Sequence, residues 1–237
     1  LSGFAQGDSW GLVAAELVAF LVVGFFFVRR QLQLAVPMLP LDLLRIPIFS
    51  LSVATSVCSF CAQMLALVSL PFFLQGVLGR SEVETGLLLT PWPVATMLLS
   101  PLAGVLIGRV HAGLLGSLGM VMMAAGLLAL AMLPAMPGDM DIVWRMALCG
   151  AGFGLFQSPN NHTMISAAPP QRSGGASGML GTARLLGQSS GAALVALMFT
   201  RFGDGGTHAA LLLAAALAIV AAVVSGLRVQ RRPVSQP

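Results

Sequence analysis

The sequence predicts an all-α integral membrane protein with seven transmembrane helices. Of its 237 residues, 57% are hydrophobic and 8% are charged, and the mean hydropathy is +0.92. Soluble domains carry about a quarter charged residues. Seven apolar stretches reach the ~20 residues that a spanning helix needs. The linkers between them are short and hold helix breakers or charges, so they leave no room for a soluble domain.

The seven predicted spans group into a bundle of six and one extra helix. They cover residues 9–28, 48–70, 86–107, 114–133, 142–166, 177–199 and 208–227. We divide the chain into an extra helix with a cytoplasmic linker (1–47), a six-helix bundle (48–227) and a cytoplasmic tail (228–237). In each half of the bundle, 48–133 and 142–227, the first helix is polar-faced and the third is the most apolar. This weak symmetry is expected of two inverted three-helix repeats.

The arginines predict the orientation, because cytoplasmic loops are enriched in Lys and Arg. With the C-terminal tail inside, Arg80 and Arg201 lie outside. The arginines then inside are Arg29, Arg30, Arg45, Arg109, Arg172, Arg228, Arg231 and Arg232. The N-terminal end therefore lies outside, but residues 1–10 lack the basic region of a signal peptide. We expect the chain to be the C-terminal portion of a longer protein; an isolated, reverse-inserted first helix is the alternative.

The helix at 48–70 carries a polar stripe. Ser52, Ser56, Ser59 and Gln63 recur at spacings of 4, 3 and 4, so they share one face. Hydrogen bonding between helices is one interpretation of this stripe. A wall facing water or substrate is the other, and we favour it for Gln63.

The next span contains three prolines, Pro91, Pro93 and Pro101. Prolines kink membrane helices and free carbonyl groups that neighbours or water must satisfy. The pattern indicates either bending at a gate or a fixed helix shape.

Two helices with small, partly polar stripes organise the second half of the bundle. The stripe residues are Gly150, Gly154, Gln157 and Asn161 on the first helix, and Gly181, Arg184, Gly187, Gln188 and Gly191 on the second. Small residues let helix backbones approach closely in lipid, and a buried amide or Arg must face protein or water. We expect the glycines, Arg184 and Gln188 to serve helix packing or gating.

Several other functional classes lack their characteristic residues. Cys58 and Cys61 form a CxxC, but no second Cys or His pair completes a metal site. The basic residues are all Arg and form no stripe for nucleic acid. HExxH and GxSxG motifs of enzymes are absent, as are the charged rings or carbonyl filter of a channel. These residues do not exclude a receptor or a scaffolding membrane protein.

Three groups of motifs carry a resemblance to a known family. They are PLDLLRIPIF at 40–49; LPFFLQGVLG at 70–79, continuing through ETGL to Pro91; and GFG at 152–154 with GGASG at 174–178 and RLLGQSSG at 184–191. They resemble the C-terminal half of Major Facilitator Superfamily transporters, above all the fourteen-helix drug:proton antiporter branch (EmrB/QacA type). On this resemblance, the helix at 9–28 is one of two central helices that the branch adds.

One motif departs from the family pattern. The stretch 101–109 resembles the inner-loop signature GxLxDR, but Gly108 stands where the family has an acid. The acid is implied to help latch the inner side closed, so a charge-relay latch is doubtful here. Arg109 remains as a gating candidate.

The resemblance also implies a cavity and its lining. The helices at 48–70 and 142–166 are expected to line it, with candidate substrate contacts at Gln63, Phe60, Phe156, Gln157, Asn160 and Asn161. Amides can hydrogen-bond varied ligands, and aromatic rings offer apolar or cation–π surface. The competing interpretations are hydrogen bonds between helices for the amides and plain packing for the rings.

The implied function is a secondary antiporter of the cell (inner or plasma) membrane that exports small amphipathic compounds or drugs by alternating access. We expect no cofactor, since the proton gradient supplies the energy, and no metal, enzymatic activity or nucleic-acid partner. The expected partners are the lipid bilayer, the N-terminal half of the same protein and a small-molecule substrate. Residues 48–227 hold no deeply placed Asp or Glu, so the proton-carrying acid is expected in that other half. A narrow metabolite substrate, or a receptor or scaffold without transport, are the alternatives.

Overall fold

The fold is all-helical over the residues that the computed structural model describes, which confirms the predicted fold class. These residues are 41–134 and 136–229, with Val18, Val22, Phe25, Phe26, Arg29 and Arg30 from the first predicted span. The rest of that span and the tail at 230–237 lie outside the described residues.

Six membrane-length helical stretches follow in order, the second of them in two pieces. The helices are α1 (Pro47–Phe72), α2 (Glu82–Leu89), α3 (Pro91–Leu106), α4 (Ala112–Ala131), α5 (Asp139–Ala167), α6 (Ser173–Phe202) and α7 (Gly206–Leu227). Single turns at Leu41–Arg45, Pro170–Arg172 and Gly203–Gly205 link or flank them, and a π turn (Phe73–Val77) extends α1. The bounds agree with the predicted spans to within a few residues.

The proline-containing span consists of α2 and α3, which meet at Thr90. Helix α2 begins with a capping box, in which Ser81 Oγ accepts a hydrogen bond from the Glu84 N–H and the Glu84 carboxylate accepts one from the Ser81 N–H. Pro91 opens α3, where its missing N–H leaves no helical bond unmade. Pro101 lies inside α3 and therefore removes one backbone hydrogen bond there.

Helix pairing follows the symmetry that the sequence suggests. Helix α1 packs against α6 and α7, and α5 packs against α3 and α4. The third helices of the two groups, α4 and α7, pack against each other, while α1 and α5 meet over a shorter length. Exchanging the two groups of three helices preserves these pairings, as expected for two related units.

The two most apolar helices, α4 and α7, are well enclosed by the bundle. About half of the residues of each are buried, against 17% of the membrane-length window in the stretch Glu82–Leu106. Their alanines and glycines permit close approach: a Cβ on Gly119 of α4 would lie 2.5 Å from the carbonyl oxygen of Gly152 on α5. The small side chains of α4 and α7 thus allow close packing against neighbouring helices.

Hydropathy alone identifies four of the described stretches as long and apolar enough to cross a membrane. They are Pro47–Val77, Glu82–Leu106, Ala112–Ala131 and Pro170–Leu227, the last of which contains both α6 and α7. Helix α5 falls outside this set because polar residues are spread along it, from Asp139 and Asp141 to Asn160 and Asn161.

Ion pairs among the described residues lie at the ends of the helices. Arg80 pairs with Asp139 at 2.5 Å and Arg145 with Asp141 at 3.0 Å, both at the start of α5. Asp42 pairs with Arg172 at 2.8 Å at the other end of the bundle. The linkers that the sequence assigns to a common side of the membrane therefore do meet.

Candidate functional site

The six predicted cavity residues fall into two groups by exposure. Three are enclosed within the bundle, with exposures of 4%, 1% and 1%: Phe60, Phe156 and Asn160. Three are half-buried: Gln63, Gln157 and Asn161. Only the second group has surface available to a solute in this conformation.

The two phenylalanines belong to an aromatic cluster between α1 and α5. The rings of Phe60 and Phe153 meet edge to face with centroids 5.3 Å apart, and Phe153 lies 6.3 Å from Phe156. Edge-to-face contacts of this kind stabilise packing beyond the area they bury. The geometry thus favours the packing interpretation of both rings over substrate contact.

Gln63 lines a groove between α1 and the broken span. The groove has a volume of about 450 Å³, and its other walls are Leu67, Gly86, Leu89, Thr90, Trp92, Pro93, Thr96 and Met97. None of these side chains is ionisable. A groove with this lining suits an apolar group, with the Gln63 amide able to donate or accept a hydrogen bond.

Gln157 and Asn161 lie four residues apart on α5 and so share a face. The neighbouring Asn160 is turned by about 100° from Asn161, as helical geometry requires, and it points to α1 instead. Of the three predicted amides on α5, one therefore connects helices, while the other two stay available.

A buried polar network centred on Arg228 was not predicted from the sequence. Arg228 donates from Nη1 to Ser52 Oγ at 2.9 Å and to Asn160 Oδ1 at 2.6 Å, and from Nη2 to Ser225 Oγ. Asn160 Nδ2 in turn donates to Ser56 Oγ at 2.7 Å. For Ser52 and Ser56, the structure thus shows hydrogen bonding between helices rather than a cavity wall.

The network was not predicted because Arg228 directly follows the last helix, where its sequence context is that of the first residue of a polar tail. Its exposure is 1%. The available signal was the polar stripe of α1, whose Ser52 and Ser56 lie near the same end of the bundle. That stripe indicated a buried partner but did not identify one.

Four of the predicted packing glycines lie at close helix contacts. A Cβ on Gly154 would lie 2.9 Å from the Thr96 carbonyl oxygen of α3, and Gly150 approaches the Trp92 carbonyl still more closely. Thr96 Oγ1 also donates to the Gly150 carbonyl at 3.0 Å. These contacts join α5 to α3.

The GxxxG pair of α6 makes the equivalent contact with α1. A Cβ on Gly187 would lie 2.6 Å from the Val57 carbonyl oxygen, and one on Gly191 would lie 2.7 Å from that of Cys61. By contrast, a Cβ on Gly181 would meet nothing within 4 Å.

The remaining packing or gating candidates lie on the outside of the bundle. Arg109 and Arg184 are exposed, and Gln188 is half-buried. These side chains are available to lipid, to solvent or to another part of the protein.

Comparison with known proteins gives the family. Residues 9–192 match the Major Facilitator Superfamily. The chain is 75% identical over 229 residues to the "Uncharacterized transporter YebQ" of Escherichia coli (strain K12), which covers 97% of this chain and 50% of YebQ.

Two further relatives carry names that refer to drugs. Identity is 32% over 194 residues with the "Multidrug resistance protein Stp" of Mycobacterium tuberculosis (strain CDC 1551 / Oshkosh), covering 80% of this chain and 36% of Stp. It is 31% over 199 residues with the "Multidrug efflux pump LfrA" of Mycolicibacterium smegmatis (strain ATCC 700084 / mc(2)155), covering 81% and 39%. The chain thus spans half or less of the length of these curated relatives. It is a multi-pass membrane protein, and it belongs to the Major Facilitator Superfamily of transporters.

Proposed function

We propose that this chain is the C-terminal half of a proton-coupled antiporter of the fourteen-helix drug:proton branch, which exports small amphipathic compounds by alternating access. In this mechanism the six-helix bundle rocks against the other half around a site near the midplane of the membrane. The half-buried amides Gln63, Gln157 and Asn161 would meet the substrate.

The similarity to Stp and LfrA over four-fifths of the chain carries the drug-export part of this proposal. The uncharged groove at Gln63 supports it independently, because amphipathic compounds present apolar surface and few hydrogen-bonding groups. A site for an anion is commonly built with Arg or Lys, and one for a metal with His, Cys or carboxylate ligands, and the groove lining contains none of these residues.

Proton coupling in this proposal depends on an acid outside the bundle. The acidic residues of the described chain are Asp42, Glu82, Glu84, Asp139, Asp141 and Asp204. All lie in linkers or first helical turns, whereas an intramembrane acid is the usual proton carrier. We therefore assign the coupling acid to the N-terminal half, and not to Glu16, which the sequence places near the outer end of the extra span at 9–28.

The proposed location is the cell membrane, with the N-terminal end of this chain outside and its C-terminus in the cytoplasm. The excess of arginines in the linkers on one side supports this orientation. The Asp42–Arg172 pair supports a common side for the linkers before α1 and before α6.

Ethidium efflux from cells that express the full-length gene tests the proposal. We expect efflux that a protonophore abolishes, since the gradient would drive export. Correctly inserted protein without ethidium efflux would remove multidrug export and move the search to narrower metabolite substrates. Efflux that persists after the gradient collapses would contradict proton coupling.

A further inference from the structure

Arg228 is a buried cation whose partners are all neutral. It is 1% exposed, and its guanidinium reaches Ser52, Asn160 and Ser225. None of the three ion pairs within the described chain involves it. A buried arginine is costly unless hydrogen bonds satisfy it, so this arrangement needs an explanation beyond chance packing.

The network around Arg228 joins the two first helices of the repeats. Asn160 of α5 accepts from Arg228, and its Nδ2 donates both to Ser56 Oγ at 2.7 Å and to the Ser52 carbonyl at 3.3 Å on α1. Ser225 brings in the end of α7. Since α1 and α5 otherwise touch over a short length, these hydrogen bonds are a large part of the contact between the two helices.

The fourth helix is shaped to admit the guanidinium. A Cβ on Gly116 of α4 would lie 2.7 Å from Ser225 Oγ and 3.2 Å from Arg228 Nη2. Ser225 Oγ, while accepting from Arg228, donates to the Gly113 carbonyl at 3.0 Å. Four helices therefore contribute to one site, in which each hydroxyl and amide has the role its chemistry allows.

The same helices carry the available amides. On α1, Ser56 lies seven residues before Gln63, two turns away on one face. On α5, Asn160 lies between Gln157 and Asn161 in the chain. Any rotation of α1 or α5 at the network would therefore turn these amides.

We propose that Arg228 is a positioning residue, which sets the spacing and rotation of α1 and α5 and thereby directs Gln63, Gln157 and Asn161 towards the substrate. The consequence for transport rests on the proposed export function; the effect on helix spacing does not. The planar guanidinium suits this task because its fixed fork of donors can bond several acceptors at once, which a lysine ammonium does less well.

The direct test measures the distance between α1 and α5 in the full-length protein. Spin labels at Ala54→Cys and His162→Cys, both exposed positions, would report it by pulsed electron resonance after Cys58, Cys61 and Cys149 are replaced. We expect one narrow distance distribution with Arg228 present, and a shifted or broadened one in Arg228→Gln. Arg201→Gln, an exposed arginine at the other end of the bundle, is the matched control and should change nothing.

Milder variants keep the test decisive if Arg228→Gln does not fold. Arg228→Lys keeps the charge but loses the fork, and Ser52→Ala removes one acceptor; each should broaden the distribution in the same direction, but less. Distributions identical to wild type in both variants would overturn the proposal.

Transport supplies the second readout. If ethidium is exported, Arg228→Lys should raise its KM several-fold at an unchanged amount of inserted protein, because the amides are misdirected. An unchanged KM with a shifted distance would restrict Arg228 to helix packing and contradict its role towards substrate. If wild type exports no ethidium, the proposed function fails, while the distance measurement still decides the effect on helix spacing.

Discussion

At the scale of single residues, adjacent positions serve different purposes. Asn160 and Asn161 have the same side chain, yet one is buried in a hydrogen-bonded network and the other is half-buried. Sequence spacing predicted the shared face of Gln157 and Asn161. It could not tell which amides meet a helix and which meet a cavity, because this depends on helix rotation fixed by packing elsewhere.

Glycines offer the clearest test of packing at this scale. A Cβ on Gly187 would lie 2.6 Å from the Val57 backbone, whereas one on Gly181 would meet nothing within 4 Å. Gly187→Ala should destabilise the protein by about 1–3 kcal/mol through overpacking. Gly181→Ala should be neutral or stabilising by up to about 1 kcal/mol, because Ala favours a helix. Thermal unfolding in detergent would measure both, and equal effects would contradict the described α1–α6 contact.

Gln63 offers a test of substrate contact. Gln63→Leu keeps most of the side-chain volume but removes the amide. Substrate binding should lose one hydrogen bond, worth about 0.5–1.5 kcal/mol, and the KM for ethidium should therefore rise about 2- to 10-fold. Gln75→Leu, at an exposed position beyond α1, serves as control. An unchanged KM in Gln63→Leu would exclude the amide from the site.

At the scale of elements, the sequence predicts the helices well and their surroundings less well. Apolar length and helix breakers define all six stretches, because the cost of unpaired backbone groups in lipid permits little else. Polarity alone does not predict how far α4 and α7 are buried, since an Ala-rich surface packs against protein as readily as against lipid. The burial of Arg228 was not predicted for a related reason. The sequence at the end of a helix does not show whether the next side chain points into the bundle or into solvent.

Two of the three prolines of α3, Pro91 and Pro101, should behave differently. Pro101 removes a backbone hydrogen bond inside the helix, so Pro101→Ala should raise stability, by up to about 3 kcal/mol. It should also slow ethidium efflux if bending here is part of gating. Pro91 stands at the first position of α3, and Pro91→Ala should change stability little. Thermal unfolding and efflux rates measure both variants; a larger gain in stability from Pro91→Ala would contradict the described helix bounds.

At the scale of the whole molecule, two related units of three helices exchange partners: each first helix packs on the second and third helices of the other unit. The sequence predicted two related units of three helices from polarity, since first helices carry polar faces and third helices are apolar, but it did not predict which helices of the two units pair. The family match and the three relatives agree with a transporter, and the matched regions make up half or less of the relatives' own length.

The proposal that the cavity wall is shared with the N-terminal half, which carries the coupling acid, gives a prediction for the whole molecule. Residues 1–237 expressed alone should insert into the membrane but export no ethidium, because half of the proposed cavity wall and the proposed coupling acid are absent. Co-expression with the remaining part of the gene should restore efflux. Stoichiometric proton exchange by residues 1–237 alone would contradict the assignment of the acid to the other half.

The most direct measurement of the central claim, that the half-buried amide face of α5 lines a substrate cavity, is cysteine accessibility in the full-length transporter. In a background without the native cysteines, Gln157→Cys should react with a membrane-impermeant maleimide, and ethidium should slow that reaction. Met146→Cys, at a fully buried position of the same helix, should stay unreactive. Failure of Gln157→Cys to react from either side of the membrane, in protein that still exports, would contradict the claim.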